Sequence, residues 1–256
     1  MNIGLIGFGR AGKSVAEEIM KDKRLTLSWV LKQSPTHSGQ YASHLLGQDC
    51  NQGLIYSNEE IDTRTFFKQN FVDILIDFSA ANSIHYYATA AKYGTRIISA
   101  ISNYESEQYF ELKRCSKITA LLHSPNISLG INFLTGIART LQAIIPEADI
   151  EIVEEHFREK KDVSGTALRI AETLGLDANK SVNSIRVGGI VGKHEIIFGL
   201  ANQTIRLVHE SISRASFGQG ALQAAHWLSK KQCGFYNMED VLGLNVQGDL
   251  LDVLNG

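Results

Sequence analysis

Hydrophobic and polar positions along the chain follow two regimes, and the change falls near Asn126. Before it, short apolar runs alternate with stretches of helical spacing. "NIGLIG" is a run of β-formers. After the glycine-rich "GFGRAG", "KSVAEEIMKD" places Val15 and Ile19 at helical spacing, with Ala16 and Met20 beside them. "LTLSWVL" (Leu25–Leu31) and "FVDILIDFS" (Phe71–Ser79) read as strands. "NSIHYYATAAKYG" (Asn82–Gly94) predicts a helix with Asn82 as N-cap and Gly94 as its stop. "TRIISAIS" reads as a strand, "ESEQYFELKRCSK" as a polar helix and "ITALLHSPN" as a further strand. Strands alternating with helices at this rhythm predict a parallel sheet covered on both faces.

After Asn126 the pattern changes. "NFLTGIARTLQAIIP" is a long amphipathic helix, "ADIEIVEEH" alternates as a strand does, and "GTALRIAETLG" is a helix. "NSIRVGGIVGKHEIIFGL" and "QTIRLVHESIS" alternate apolar and polar, as a mostly antiparallel sheet does. Helical spacing returns from Ser216 to Trp227. The expected fold class is α/β: a Rossmann-type parallel-sheet domain over 1–126 and 216–256, with an inserted α+β domain over 127–215.

Composition narrows the function. A hydrophobic content of 44% and a charged content of 20% suit a chain with a real core. A net charge of −2 gives no basic excess that would call for nucleic acid, so any anion site is local. Cys50, Cys115 and Cys233 are widely spaced and match no metal or disulfide pattern. No signal peptide and no apolar run near the roughly 20 residues of a membrane span is evident. A cytoplasmic protein without membrane contact is expected.

Two stretches carry chemistry. Gly7, Gly9 and Gly12 form GxGxxG between a predicted strand and helix, the context in which the backbone approaches a pyrophosphate at a helix N-terminus. About 20 residues on, where an acid would bind a ribose 2′-hydroxyl, stand Lys32, Gln33 and Ser34. A cation and a hydroxyl suit a 2′-phosphate, and Arg10 can add a second charge. NADPH is therefore the expected cofactor, with NADH admissible and no metal. The second stretch is "EEHFREKKDVSGTA" (Glu154–Ala167). It delivers His156 at a strand end, Lys160 in a loop, and Ser164, Gly165 and Thr166 at a helix start. Histidine is the natural proton donor at neutral pH, and the lysine and helix start suit carboxylates. Together they predict a dicarboxylate or acidic-ring site beside a hydride donor.

"IEIVEEHFREKKDVSGTALRIAE" resembles the signature of the dihydrodipicolinate reductase family, roughly E-x-H-H-x-x-K-x-D-x-P-S-G-T-A. "IGLIGFGRAGK", "DILIDFS", "SPNISLGINFL", "SIRVGGIVGKHEIIF", "HESISRASFGQGALQAAHWL" and "GFYNMEDVLGL" resemble further family segments in order. The resemblance implies NAD(P)H-dependent reduction of 4-hydroxy-tetrahydrodipicolinate in lysine and diaminopimelate biosynthesis, by a homotetramer built on the second domain. It makes His156 the proton donor and Lys160 the residue that holds the substrate, with Ser164, Gly165 and Thr166 binding a carboxylate. It assigns the cofactor to Gly7, Phe8, Gly9, Arg10, Ala11, Gly12, Lys32, Ser34, Phe78, Ser79, Ser99, Ile101 and Asn126. Three departures stand out. Phe157 replaces the second histidine. "DVSG" lacks one residue and the proline. "SAIS" (Ser99–Ser102) replaces Gly-Thr-Thr-Gly, which puts side chains where the family has none or a hydroxyl. A reductase of another cyclic imine or dicarboxylate, and a non-catalytic nucleotide-binding homologue, are the alternatives. NADPH oxidation with the pathway substrate discriminates them.

Overall fold

The computed structural model describes residues 1–244. The described residues form two compact units, Met1–Ser128 with Phe217–Val241, and Leu129–Ser216 with Leu242–Leu244. The expected assignment of 245–256 to the first unit lies outside the described residues.

The first unit contains β1 (Asn2–Ile6), α1 (Arg10–Lys21), β2 (Thr26–Lys32), α2 (Ala42–Leu45), β3 (Leu54–Ser57), α3 (Thr63–Gln69) and β4 (Ile74–Asp77). A 3₁₀ turn over Ala81–Tyr86 then leads into α4 (Tyr87–Lys92), β5 (Arg96–Ser99), α5 (Ser106–Cys115) and β6 (Ala120–His123). After the second unit come α9 (Ala215–Leu228), β11 (Gly234–Tyr236) and α10 (Met238–Leu242). Seven strands make one sheet in the order β11-β6-β5-β4-β1-β2-β3, and every pairing is parallel. β4 is buried along its whole length, as a strand covered on both faces must be. Trp29 anchors one core layer edge-on to Phe66 at 5.1 Å, and its indole N–H donates to the Asn70 carbonyl.

One local expectation fails. Asn82 does not cap a helix: the chain enters a 3₁₀ turn with Ala80 as its cap. The cause lies in Ser83, whose amide bonds Ala80 O at i−3 while its hydroxyl meets the buried Asp77 carboxyl, tightening the turn. Gly94 does end α4, with φ at +88°.

The second unit contains α6 (Leu129–Ile144), β7 (Asp149–His156), α7 (Gly165–Thr173), α8 (Ala178–Ser181), β8 (Val182–Arg186), β9 (Lys193–Leu200) and β10 (Gln203–Glu210). The sheet order is β10-β9-β7-β8. β9 runs antiparallel to both neighbours, and β7 pairs parallel with β8 through the α7–α8 crossover. The stretch read as one alternating run thus divides into β8 and β9 around Gly188. Ile152, Ile196 and Phe198 face Leu134 and Ala138 of α6 and Ile170 of α7, and none is more than 7% exposed. Among the described residues no helix is long and apolar enough to cross a membrane, and no side-chain cluster suits a metal ion.

Candidate functional site

In the first unit β1 ends at Ile6 and the glycine loop follows. Gly7 has φ +93°, and a Cβ there would come within 2.8 Å of the Phe78 backbone. A Cβ on Gly12 would come within 2.1 Å of Gly7 O, so both positions admit glycine only. Gly9, the N-cap of α1, has open space where its Cβ would lie. Tight turn, close packing and open approach are the three roles that a pyrophosphate cradle needs, so these residues fit a dinucleotide. Gly7, Phe8, Gly9, Lys32, Ser34, Phe78 and Ser79 line a cavity of about 400 Å³. The Lys32 ammonium donates to Thr36 O at 2.8 Å, which folds the 32–36 loop around it and leaves further N–H donors. Ala11, Phe78, Ser79 and Ile101 line a second cavity of about 440 Å³. Arg10 is exposed at the start of α1. Ser99 and Asn126 belong to neither lining. Ser99 is fully buried with its hydroxyl turned inward to Tyr104, and Asn126 accepts from the Ser128 amide.

The polar cluster in the second unit is built on strand register. Ile150, Ile152, Glu154 and His156 form the buried row of β7, so two polar residues continue an apolar stripe. Parallel pairing sets Ser184 beside Glu154 and Arg186 beside His156, and β9 sets His194 opposite Glu154. Glu154 is fully buried and accepts five hydrogen bonds. Arg186 grips both its oxygens, at 2.6 and 2.8 Å, and His156 Nδ1 lies 2.5 Å away. The Ser184 hydroxyl and the Ser164 amide complete the set at 2.6 and 3.1 Å. Burial alone would push this carboxyl up. The bonds from Arg186, Ser184, His156 and Ser164 outweigh it and hold it down at about 2.

Arg186 uses every guanidinium N–H. Besides Glu154 it donates to the carbonyls of Lys160, Asp162 and Ile185 and so pins the basic loop to the sheet. Lys160 is half-buried in that loop beside Phe157, whose carbonyl accepts its amide. Ser164 is turned inward: its hydroxyl caps Ala167 and bonds His194 Nε2 at 2.8 Å. The helix start therefore offers Gly165, which is exposed, and Thr166 to the outside. Burial and the neighbouring His156 push the His194 imidazole down to about 4, so it is neutral. With Nδ1 of His156 given to Glu154, Nε2 is the nitrogen left for chemistry, 3.0 Å from where a Cβ on Gly192 would lie.

The arrangement is a histidine oriented by a buried carboxylate, a cationic loop and a helix start. Sequence patterning did not single out Glu154, Arg186, Ser184 or His194. An acid at an inward position of an otherwise apolar row was the available signal for Glu154. The others come from 30 or more residues away, through pairing that no local pattern records.

Comparison with known proteins identifies the family. Residues 1–127 match the dihydrodipicolinate reductase N-terminus family and residues 130–242 its C-terminus. The 4-hydroxy-tetrahydrodipicolinate reductase of Buchnera aphidicola subsp. Acyrthosiphon pisum (strain Tuc7) is 32% identical over 92% of this chain and 95% of its own. That of Rickettsia bellii is 32% identical over 94% of each. Among solved structures, dipicolinate-bound dihydrodipicolinate reductase from Paenisporosarcina sp. TG-14 superposes with a TM-score of 0.77 at 17% identity, covering 93% of this chain and 97% of its own. Fold, motif order and sequence identity together place this chain in the dihydrodipicolinate reductase family.

Proposed function

We propose that the protein reduces 4-hydroxy-tetrahydrodipicolinate to tetrahydrodipicolinate in lysine and diaminopimelate biosynthesis, with NADPH preferred over NADH. It is a pyridine-nucleotide-dependent oxidoreductase. The observation that carries the assignment is the Glu154–His156 pair, a proton donor held in one orientation by a buried anion. Gly7 to Gly12 hold the pyrophosphate, Lys32 and Ser34 the ribose 2′-phosphate, and Phe78, Ser79 and Ile101 the nicotinamide end. The bound dinucleotide supplies the hydride. The 4-hydroxyl leaves as water with a proton from the adjacent ring carbon, giving a ring C=C conjugated with the imine. The carbon that carried the hydroxyl is the one reduced, and with Glu154 keeping the Nδ1 proton of His156 in place, Nε2 delivers a proton to the ring carbon beside it. The Lys160 ammonium and the Gly165–Thr166 start of α7 take the substrate carboxylates by charge and by N–H donors. On this reading the first unit binds the dinucleotide. The second binds substrate and, through the open face of its sheet, assembles a cytoplasmic homotetramer.

NADPH oxidation with freshly generated 4-hydroxy-tetrahydrodipicolinate tests the reading. Turnover is expected, and His156→Ala lowers it by about 10²–10⁴-fold with NADPH affinity held. No oxidation by the unmodified protein overturns the substrate assignment.

A further inference from the structure

A chain of hydroxyls, buried at Tyr87 and Ser99 and half-buried at Tyr104, lies beneath the loop Ala100–Asn103 and meets the site described so far only through Ser79. Asp77, at the end of β4, is fully buried; its Oδ1 accepts from the Ser79 amide at 2.8 Å and hydroxyl at 2.6 Å. Its Oδ2 accepts from the Tyr87 hydroxyl at 2.7 Å. The Tyr87 and Tyr104 hydroxyls lie 3.1 Å apart, and Tyr104 lies 2.8 Å from Ser99 Oγ. A phenol has one proton, and Tyr87 gives its own to Asp77. Tyr104 therefore donates to Tyr87, and Ser99 donates to Tyr104. All three hydroxyls point toward one carboxyl group, an alignment in which each bond polarises the next. Burial pushes Tyr104 up to about 12, so it remains a neutral donor at working pH.

Two neighbouring members of this chain, Ser99 and Tyr104, flank a loop. Ser99 is the last residue of β5, and Tyr104 follows Asn103, so their hydroxyl bond closes the loop across five positions. On the strand side the Ala100 amide donates to Asp77 O at 2.9 Å, and Ser99 O accepts the Ser124 amide at 3.0 Å. The enclosed residues, Ala100 to Asn103, wall the cavity shared with Ala11 and Phe78 to Ala81. Ser99 thus adds no bulk to that cavity, since its side chain points into the core and anchors the wall from behind. The geometry points to Tyr87 and Tyr104 as positioning residues that lock the Ala100–Asn103 wall, in place of the loop the family builds from glycine. This inference rests on reading that cavity as the nicotinamide end.

Tyr104→Phe keeps the ring and removes the link. Three quantities decide the matter: amide exchange at 100–103 by mass spectrometry, affinity for NADPH against 2′,5′-ADP, and kcat against KM. The substitution removes the bonds to both Tyr87 and Ser99, and the loss of the loop-closing bond to Ser99 alone corresponds to about three- to tenfold easier local opening. Exchange at 100–103 should rise by that factor. NADPH affinity or kcat should fall similarly, with 2′,5′-ADP binding unchanged because it reports only the adenosine side. Ser99→Ala/Tyr104→Phe should be no worse than Tyr104→Phe, since the shared bond is already gone. Unchanged exchange at 100–103 overturns the proposal. So does an equal loss of NADPH and 2′,5′-ADP binding with a lower Tm, which marks a structural role only. If the unmodified protein oxidises no NADPH with the pathway substrate, the substrate assignment fails, while the exchange and the NADPH to 2′,5′-ADP ratio still decide this inference.

Discussion

Glu154→Gln removes the one buried anion found among the described residues of the second unit and keeps its shape. The ordinary glutamate value of 4.5 is held down at about 2 in the fold, which corresponds to about 3 kcal/mol of stabilisation. A second route gives a similar figure: leaving Arg186 without its carboxylate in a buried setting costs about 3–5 kcal/mol. The sign follows from linkage. A carboxyl lowered in the folded state stabilises fully above 4.5, and that contribution drains away as pH falls toward 2. His194, lowered to about 4, adds a separate acid limb between 6.5 and 4, because the unfolded chain binds its proton first. Both tryptophans, Trp29 and Trp227, belong to the first unit, so intrinsic fluorescence would report the wrong region. Amide exchange on β7 and β9, corrected for intrinsic rate, is the suitable assay. Glu154→Gln should lose about 3 kcal/mol of protection at pH 7, keep the 6.5–4 limb and lack the 4.5–2 limb, so that the two proteins converge in acid. Parallel curves over the whole range would refute the reasoning.

Three further outcomes are expected. Gly9→Ala should leave Tm nearly unchanged yet weaken NADPH binding at least tenfold by calorimetry, because the space its Cβ enters is open in the protein; Gly12→Ala should lose stability as well, from a 2.1 Å collision with Gly7 O. Lys32→Asp should shift the kcat/KM preference from NADPH toward NADH, and an unchanged ratio would detach Lys32 from the 2′-phosphate. Gly192→Ala crowds Nε2 of a histidine that cannot turn away, since Glu154 holds it, so kcat should fall about tenfold or more while NADPH binding stays constant.

The repeating parts of the fold were legible along the chain. β1, the glycine loop and α1 are local, and each residue's role there depends on its immediate neighbours. The buried row of β7 could be read from alternation as far as Ile152, and then the same rule placed Glu154 inward without saying why. The reason lies in Arg186, Ser184 and Ser164, which arrive through β-pairing and a crossover that local spacing does not encode. Ser99 shows the opposite error. Set against a glycine loop, it reads as an obstruction. In three dimensions its hydroxyl turns away from the cavity, because Tyr104, five residues on, offers a half-buried partner. The stretch 42–70 carries α2, β3 and α3 on four to seven residues each, too short for a periodicity to declare itself.

The return of the chain to its first sheet has a consequence for biosynthesis. Strand β6 is complete at His123, yet its outer partner β11 begins only at Gly234. α9 closes on the same unit, with Gly220 so near Ile127 O that a Cβ would come within 1.9 Å. At about 5–20 residues per second, roughly 5–20 seconds of translation separate β6 from its neighbour. Meanwhile the strands β7 to β10, contiguous in the chain, emerge together and can pair at once. The four-stranded sheet of the inserted unit can thus form before the seven-stranded sheet is finished. In that interval the nascent nucleotide sheet presents "ALLH" as an open, apolar edge, the kind of surface on which chains join one another. Substitutions in α9 or β11 would on this account lower the yield of folded protein during synthesis more than they lower the stability of molecules already made.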